Sequence, residues 1–194
     1  GEAGLTWPAA GKFTIPRAYL APVLDGDLSD KAWGRAVIFK AEYPFNETMP
    51  LAEPRATWRL TWDETYLYAA VTVKDQDIDA PPLDRDGKVW NHDCIELFIL
   101  PEYQTGTYWE VVIGPTGAIF DAMHNKYWSL WGSTMRADLD LVGLRLATRT
   151  ANEGYTVELA IPFAELPEYS RAKPAIGQTL NLMLAHLDTH PKAK

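Results

Sequence analysis

Aromatic rings stack on the apolar faces of a ligand, while carboxylates, amides and imidazoles pair with its hydroxyls. Eight tryptophans and nine tyrosines in 194 residues exceed what packing alone demands, so some of these rings are expected to face a ligand. The run HNKYWSLW, His124 to Trp131, gathers the needed types in one place: His124, Asn125, Tyr127, Trp128 and Trp131. It reads either as a ligand-facing loop or as a hydrophobic plug beneath one. Trp90 lies in the polar stretch KVWNHD, just before the apolar run CIELFIL, where a loop on a rigid sheet is well placed to recognise something. Glu96 sits within that apolar run and needs a partner there.

The acidic series Asp75, Asp77, Asp79, Asp84 and Asp86 offers oxygen ligands for a hard cation. Asp75, Asp77 and Asp79 are the candidate calcium ligands, against the alternative of a solvated acidic loop. The series is not an EF-hand, because Ala80 stands where the sharp turn needs glycine and Pro81 and Pro82 follow. The chain contains no Gly-x-Ser-x-Gly and no His-Glu-x-x-His, and its four histidines are scattered. A glycoside hydrolase needs only two carboxylates, so Glu96 with Asp93 or Glu110 stays open as an enzymatic alternative. Strand alternation turns Asp93 away from Glu96. No organic cofactor is called for.

These groups must be positioned by strands. The segments 55–62, 66–73, 93–100, 108–113, 118–122, 144–149, 155–161 and 180–186 are rich in β-branched and aromatic residues, and turn formers separate them. The pattern predicts an all-β fold, a two-sheet antiparallel β-sandwich with one or two short helices. The helices are placed at 29–36, with Ser29 as N-cap, and at 163–166. In 93–100, Ile95, Leu97 and Ile99 point one way while Cys94, Glu96 and Phe98 point the other, so both faces must be covered or one must meet a ligand.

Residues 1–194 read as one domain, since no composition shift divides them. A net charge of −8 with no basic run argues against nucleic acid, and no apolar stretch reaches membrane-spanning length. The lone Cys94 permits no internal disulfide and reads as a small buried hydrophobe.

Four segments, in order, resemble the family-9 carbohydrate-binding modules: LDGDLSDKAW (24–33), WDETYLY (62–68), WNHDCIELF (90–98) and GYTVELAIP (154–162). The resemblance implies a distorted jelly roll related to the DOMON domains, in a secreted or periplasmic protein whose signal peptide has been removed. It implies structural calcium, an appended glycoside hydrolase domain, and non-catalytic binding of an oligo- or polysaccharide of the xylan or cellulose type. By motif, Trp90 matches one of two tryptophans that sandwich a sugar, and Glu96 matches a glutamate that hydrogen-bonds it. The arginine that some members carry on the next strand falls near Val112. The second sandwich tryptophan comes from a segment beyond the end of this sequence, which makes Tyr127, Trp128 and Trp131 its natural substitutes. Some DOMON sandwiches hold haem between methionine and histidine, so Met123, Met183 and His186 define an electron-transfer alternative.

Overall fold

The computed structural model describes residues 11–41, 54–100, 106–126, 132–166 and 173–189. Alternation dictates the architecture. In β2 (Ala56–Trp62), Ala56, Trp58 and Leu60 turn into the core, and the hairpin partner β3 (Tyr66–Lys74) sends in Leu67, Ala69, Val71 and Val73. The turn between them is held by Asp63, whose Oδ1 accepts the N–H groups of Thr65 (2.7 Å) and Tyr66 (2.8 Å). Its Oδ2 accepts the Tyr68 hydroxyl at 2.7 Å, so one short carboxylate closes the loop from both sides.

Strand β9 (Gly154–Pro162) pairs with β3 over its whole length, and β1 (Val37–Lys40) and β8 (Arg145–Ala151) complete a five-stranded sheet of order β1-β2-β3-β9-β8. The second sheet has the order β10-β4-β5-β6-β7: β10 (Asn181–Leu187), β4 (Cys94–Leu100), β5 (Tyr108–Ile113), β6 (Ile119–His124) and β7 (Met135–Arg136). Every pairing between these strands is antiparallel. Trp58, Leu60, Val71, Val157 and Leu159 of the first sheet meet Ile95, Leu97, Ile99, Trp109 and Val111 of the second in one shared core.

The expected sandwich is therefore present, but the expected helices shrink. Among the described residues the only helical pieces are single 3-10 turns at Trp33–Arg35, Val89–Asn91 and Phe163–Glu165. Ser29 caps nothing; its N–H goes to Asp27 Oδ1 at 3.0 Å, and Ala32 precedes the first turn. The reason lies beneath the segment. Glu158, fully buried on the outer face of the first sheet, accepts the indole N–H of Trp33 (2.8 Å) and the backbone N–H groups of Asp25 (2.9 Å) and Gly26 (2.6 Å). Pinned at both ends to one carboxylate, residues 25–33 follow a tight path that no two-turn α-helix can take. Gly26 completes it with φ +83°, and a Cβ there would stand 2.6 Å from Arg149 Cβ.

Candidate functional site

The outer face of the second sheet carries the candidate chemistry. Strand period and register place Cys94, Glu96 and Phe98 of β4, Tyr108, Glu110 and Val112 of β5, and Phe120, Ala122 and His124 of β6 on that face. Ala185 of β10 lies opposite Glu96 on one side and Val112 on the other; Phe98 lies opposite Glu110. Glu96 and Glu110 are thus diagonal neighbours, and the row Glu96, Val112, Phe120 crosses three strands, about 10 Å at ordinary strand spacing.

One end of this face is roofed. Residues 83–90 fold over it, and Val89, Cys94, Val112, Phe120 and Ala122 make a small second core with Leu83 and Trp90 against it. Trp90, half-buried, meets Phe120 edge-on with centroids 4.7 Å apart. The sequence reading of Cys94 as a buried hydrophobe holds: it has no exposure, and burial pushes its thiol far above the usual range.

Glu96 has no hydrogen-bond partner among the described residues. Burial first, and the charge of Glu110 second, push its carboxyl up to about 7. Glu110 is held differently: its Oε2 lies 2.7 Å from His124 Nε2, and the His124 ring stacks on Tyr108 at 4.5 Å with 6° between planes. His124 is only 6% exposed, so its Nε2 is committed to orienting Glu110. Asn125 is committed too. Its Oδ1 accepts the Thr134 N–H at 2.7 Å and its own N–H reaches Thr134 O at 3.2 Å, closing the base of the loop that follows β6. Tyr127, Trp128 and Trp131 lie outside the described residues.

Of the named candidates, then, Trp90, Glu96 and His124 share one face, and Asn125 stands at its margin. Phe98, Tyr108 and Glu110 belong to the face as well. Alternation in YWEVVI signals their direction, but only the register with β4 and β6 brings them beside Glu96 and His124.

Of the candidate calcium ligands, Asp75 and Asp79 gather around Asp93, while Asp77 lies at the surface. Asp75 is buried at the end of the sandwich, where burial raises its carboxyl and its Oδ1 accepts the Asp77 N–H at 3.1 Å. Asp77 is exposed, and Asp79 Oδ2 lies 2.8 Å from His92 Nδ1. Asp93, turned off the outer face as alternation requires, accepts the N–H groups of Asp79 (2.6 Å) and Thr189 (2.8 Å), which hold its carboxyl low against the opposing effect of burial. A different acidic group does converge: carboxylate oxygens of Asp86, Asp121 and Asp140 lie within 4.8 Å of one another. Arg85 already occupies that group, pairing with Asp121 and with Asp140 at 3.2 Å, so the chain's own guanidinium takes the place a cation would need.

The haem alternative loses its geometry. Met183 opens onto the outer face of β10, whereas His186, on the same strand, faces inward against Tyr155; Met123 lies on β6, with β4 and β5 between.

Residues 24–194 match the family described as Carbohydrate family 9 binding domain-like. The chain is 34% identical over 146 residues to endo-1,4-beta-xylanase C of Paenibacillus barcinonensis, covering 74% of this chain and 12% of the xylanase. It is 27% identical over 168 residues to Exoglucanase XynX of Acetivibrio thermocellus, covering 86% of this chain and 13% of that protein. The chain thus spans roughly an eighth of the length of these curated relatives. A carbohydrate binding module family 9 from Caldicellulosiruptor kristjanssonii, solved with cellotriose, superposes with a TM-score of 0.62 at 17% identity, over 91% of this chain and 77% of that one. At that identity the likeness is one of fold.

Proposed function

Because this chain belongs to the Carbohydrate family 9 binding domain-like family, we propose that it is a non-catalytic sugar-binding module whose ligand lies on the outer face of the second sheet. The observation that carries the reading is the pairing of a half-buried indole, Trp90, with two outward carboxylates, Glu96 and Glu110, on an otherwise apolar strand face. A sugar ring stacks on Trp90 while its hydroxyls donate to Glu96 and Glu110; His124 and Tyr108 keep Glu110 aimed outward. By residue type, Tyr127, Trp128 and Trp131 are the candidates for a second stacking ring. Xylan- or cellulose-type oligosaccharides are the expected ligands, since the relatives are xylanases and an exoglucanase and the structural neighbour holds cellotriose. By the same kinship the module is exported and works attached to a glycoside hydrolase. No helix among the described residues is long and apolar enough to cross a membrane.

The test is a titration with cello-, xylo- and manno-oligosaccharides, followed by tryptophan fluorescence. A saturable change lost in Trp90→Ala, in a variant that keeps its β-sheet circular dichroism, supports the proposal; silence across the panel overturns the plant-glycan assignment. Glu96 raised to about 7 beside Glu110 is also the electrostatic pairing of a glycosidase acid and its partner carboxylate. Release of new reducing ends from the same panel, lost in Glu96→Gln, would make the module an enzyme.

A further inference from the structure

The charge on this face is one-sided. Along β10, β4, β5 and β6 no outward position is lysine or arginine. The segment joining β4 to β5, residues 101–107, has Glu102 and no basic residue, and the segment between β6 and β7 has Lys126 alone. Lys126 is exposed and makes no ion pair with either glutamate. Among these outward strand positions the one group able to carry positive charge is His124, bonded through Nε2 to Glu110, and of the bases in the roof over them Arg85 is taken up by Asp121 and Asp140 while Lys88 is exposed.

Glu96 is left as a carboxyl among Ala185, Val112 and Phe98, with no cation among the described residues paired to it and a second carboxylate diagonally beside it. Such a group either takes up a proton or waits for a positive charge from outside. The rings of Trp90, Phe98 and Tyr108 lie on the same face, and aromatic surfaces attract ammonium groups as well as C–H groups. We propose that the preferred ligand of this site is a glycan built from amino sugars with free protonated amines, its ammonium group seated between Glu96 and Glu110. The inference rests on the sugar-binding reading above and names its ligand class. A charge-assisted hydrogen bond is about twice as strong as a neutral one, and it forms only if the amine is unacetylated. Uronic acids, by the same geometry, are excluded.

The experiment compares three trimers on the intact protein at pH 6.5 and low salt: β-1,4-linked glucosamine, its fully N-acetylated counterpart, and cellotriose, with trilysine as a control for unspecific attraction to a chain of net charge −8. The glucosamine trimer should bind at least tenfold more tightly than either neutral trimer. That ratio should collapse toward one in Glu96→Gln and shrink with added salt. Neutral trimers that bind as well as or better than the amine overturn the inference and leave sugar binding standing. Trilysine that matches the glucosamine trimer overturns it as well, and failure of all three sugars overturns both readings.

Discussion

The protonation of Glu96 gives the sharpest handle on this site. Its carboxyl titrates near 7 instead of its ordinary 4.5, so the free protein is about nine-tenths ionised there at pH 8 and about one-tenth at pH 6. A neutral sugar that donates hydroxyls to the carboxylate selects the ionised form. Its association constant should therefore fall about tenfold between pH 8 and pH 6, about 1.4 kcal/mol. Folding should run the other way. A carboxyl whose pKa is raised in the native state supports stability fully below 4.5 and withdraws that support as pH rises toward 7. Wild-type protein should thus melt lower at pH 8 than at pH 5 by more than Glu96→Gln does, while binding its neutral ligand better at pH 8. Isothermal titration calorimetry and thermal melts across that range read both trends, with Glu96→Gln as the reference for the pH dependence of all other groups. A wild-type affinity independent of pH, or one that rises on acidification, would refute the idea that the carboxylate is the acceptor.

Two further substitutions probe the scaffold. Trp33→Phe removes one of the three donors to fully buried Glu158 and should cost roughly 2–4 kcal/mol, a melting temperature lower by about 10 °C, with glycan affinity unchanged because the lock lies on the other sheet. Arg85→Ala strips the counter-charge from Asp121, which is wholly buried, and should cost about 2 kcal/mol, on the low side for a buried pair because Arg85 is 38% exposed. With the guanidinium gone, Asp86, Asp121 and Asp140 become a free oxygen cluster, so millimolar calcium should restore part of the lost melting temperature in this variant and do little for the wild type.

The long strands were legible because both periodicity and burial act on every residue: β5 was placed at its observed bounds, and β2, β3 and β9 to within a residue. Edges were not. Val37–Lys40 pairs on one side only and β7 has two residues, too few for alternation to register. The Ser29 helix failed because local capping chemistry was overridden by a carboxylate more than a hundred positions away, Glu158. The site divided in the same way. A motif singled out Trp90 and Glu96, and Glu110 was named only as a carboxylate that could accompany Glu96; its place diagonally beside Glu96 needed the pairing of β4 with β5. His124 and Asn125 have the composition of sugar contacts, but their hydrogen bonds go to Glu110 and Thr134, partners that only the folded register supplies.

The Glu158 lock bears on how such chains diverge. Of the four segments that carry the family likeness, three meet in the first sheet: Gly26 and Trp33 on Glu158, Asp63 on Tyr68, and Gly154, whose Cβ would fall 1.9 Å from the carbonyl oxygen of Val73. Only the segment around Trp90 and Glu96 reaches the opposite surface. The family likeness thus lies mainly in a chassis whose tolerances are tight, while the strands of the proposed binding face are free to exchange one outward side chain at a time. Two relatives can keep the chassis and read different glycans, and the residues to compare when assigning their ligands are the few that point outward from β4, β5 and β6.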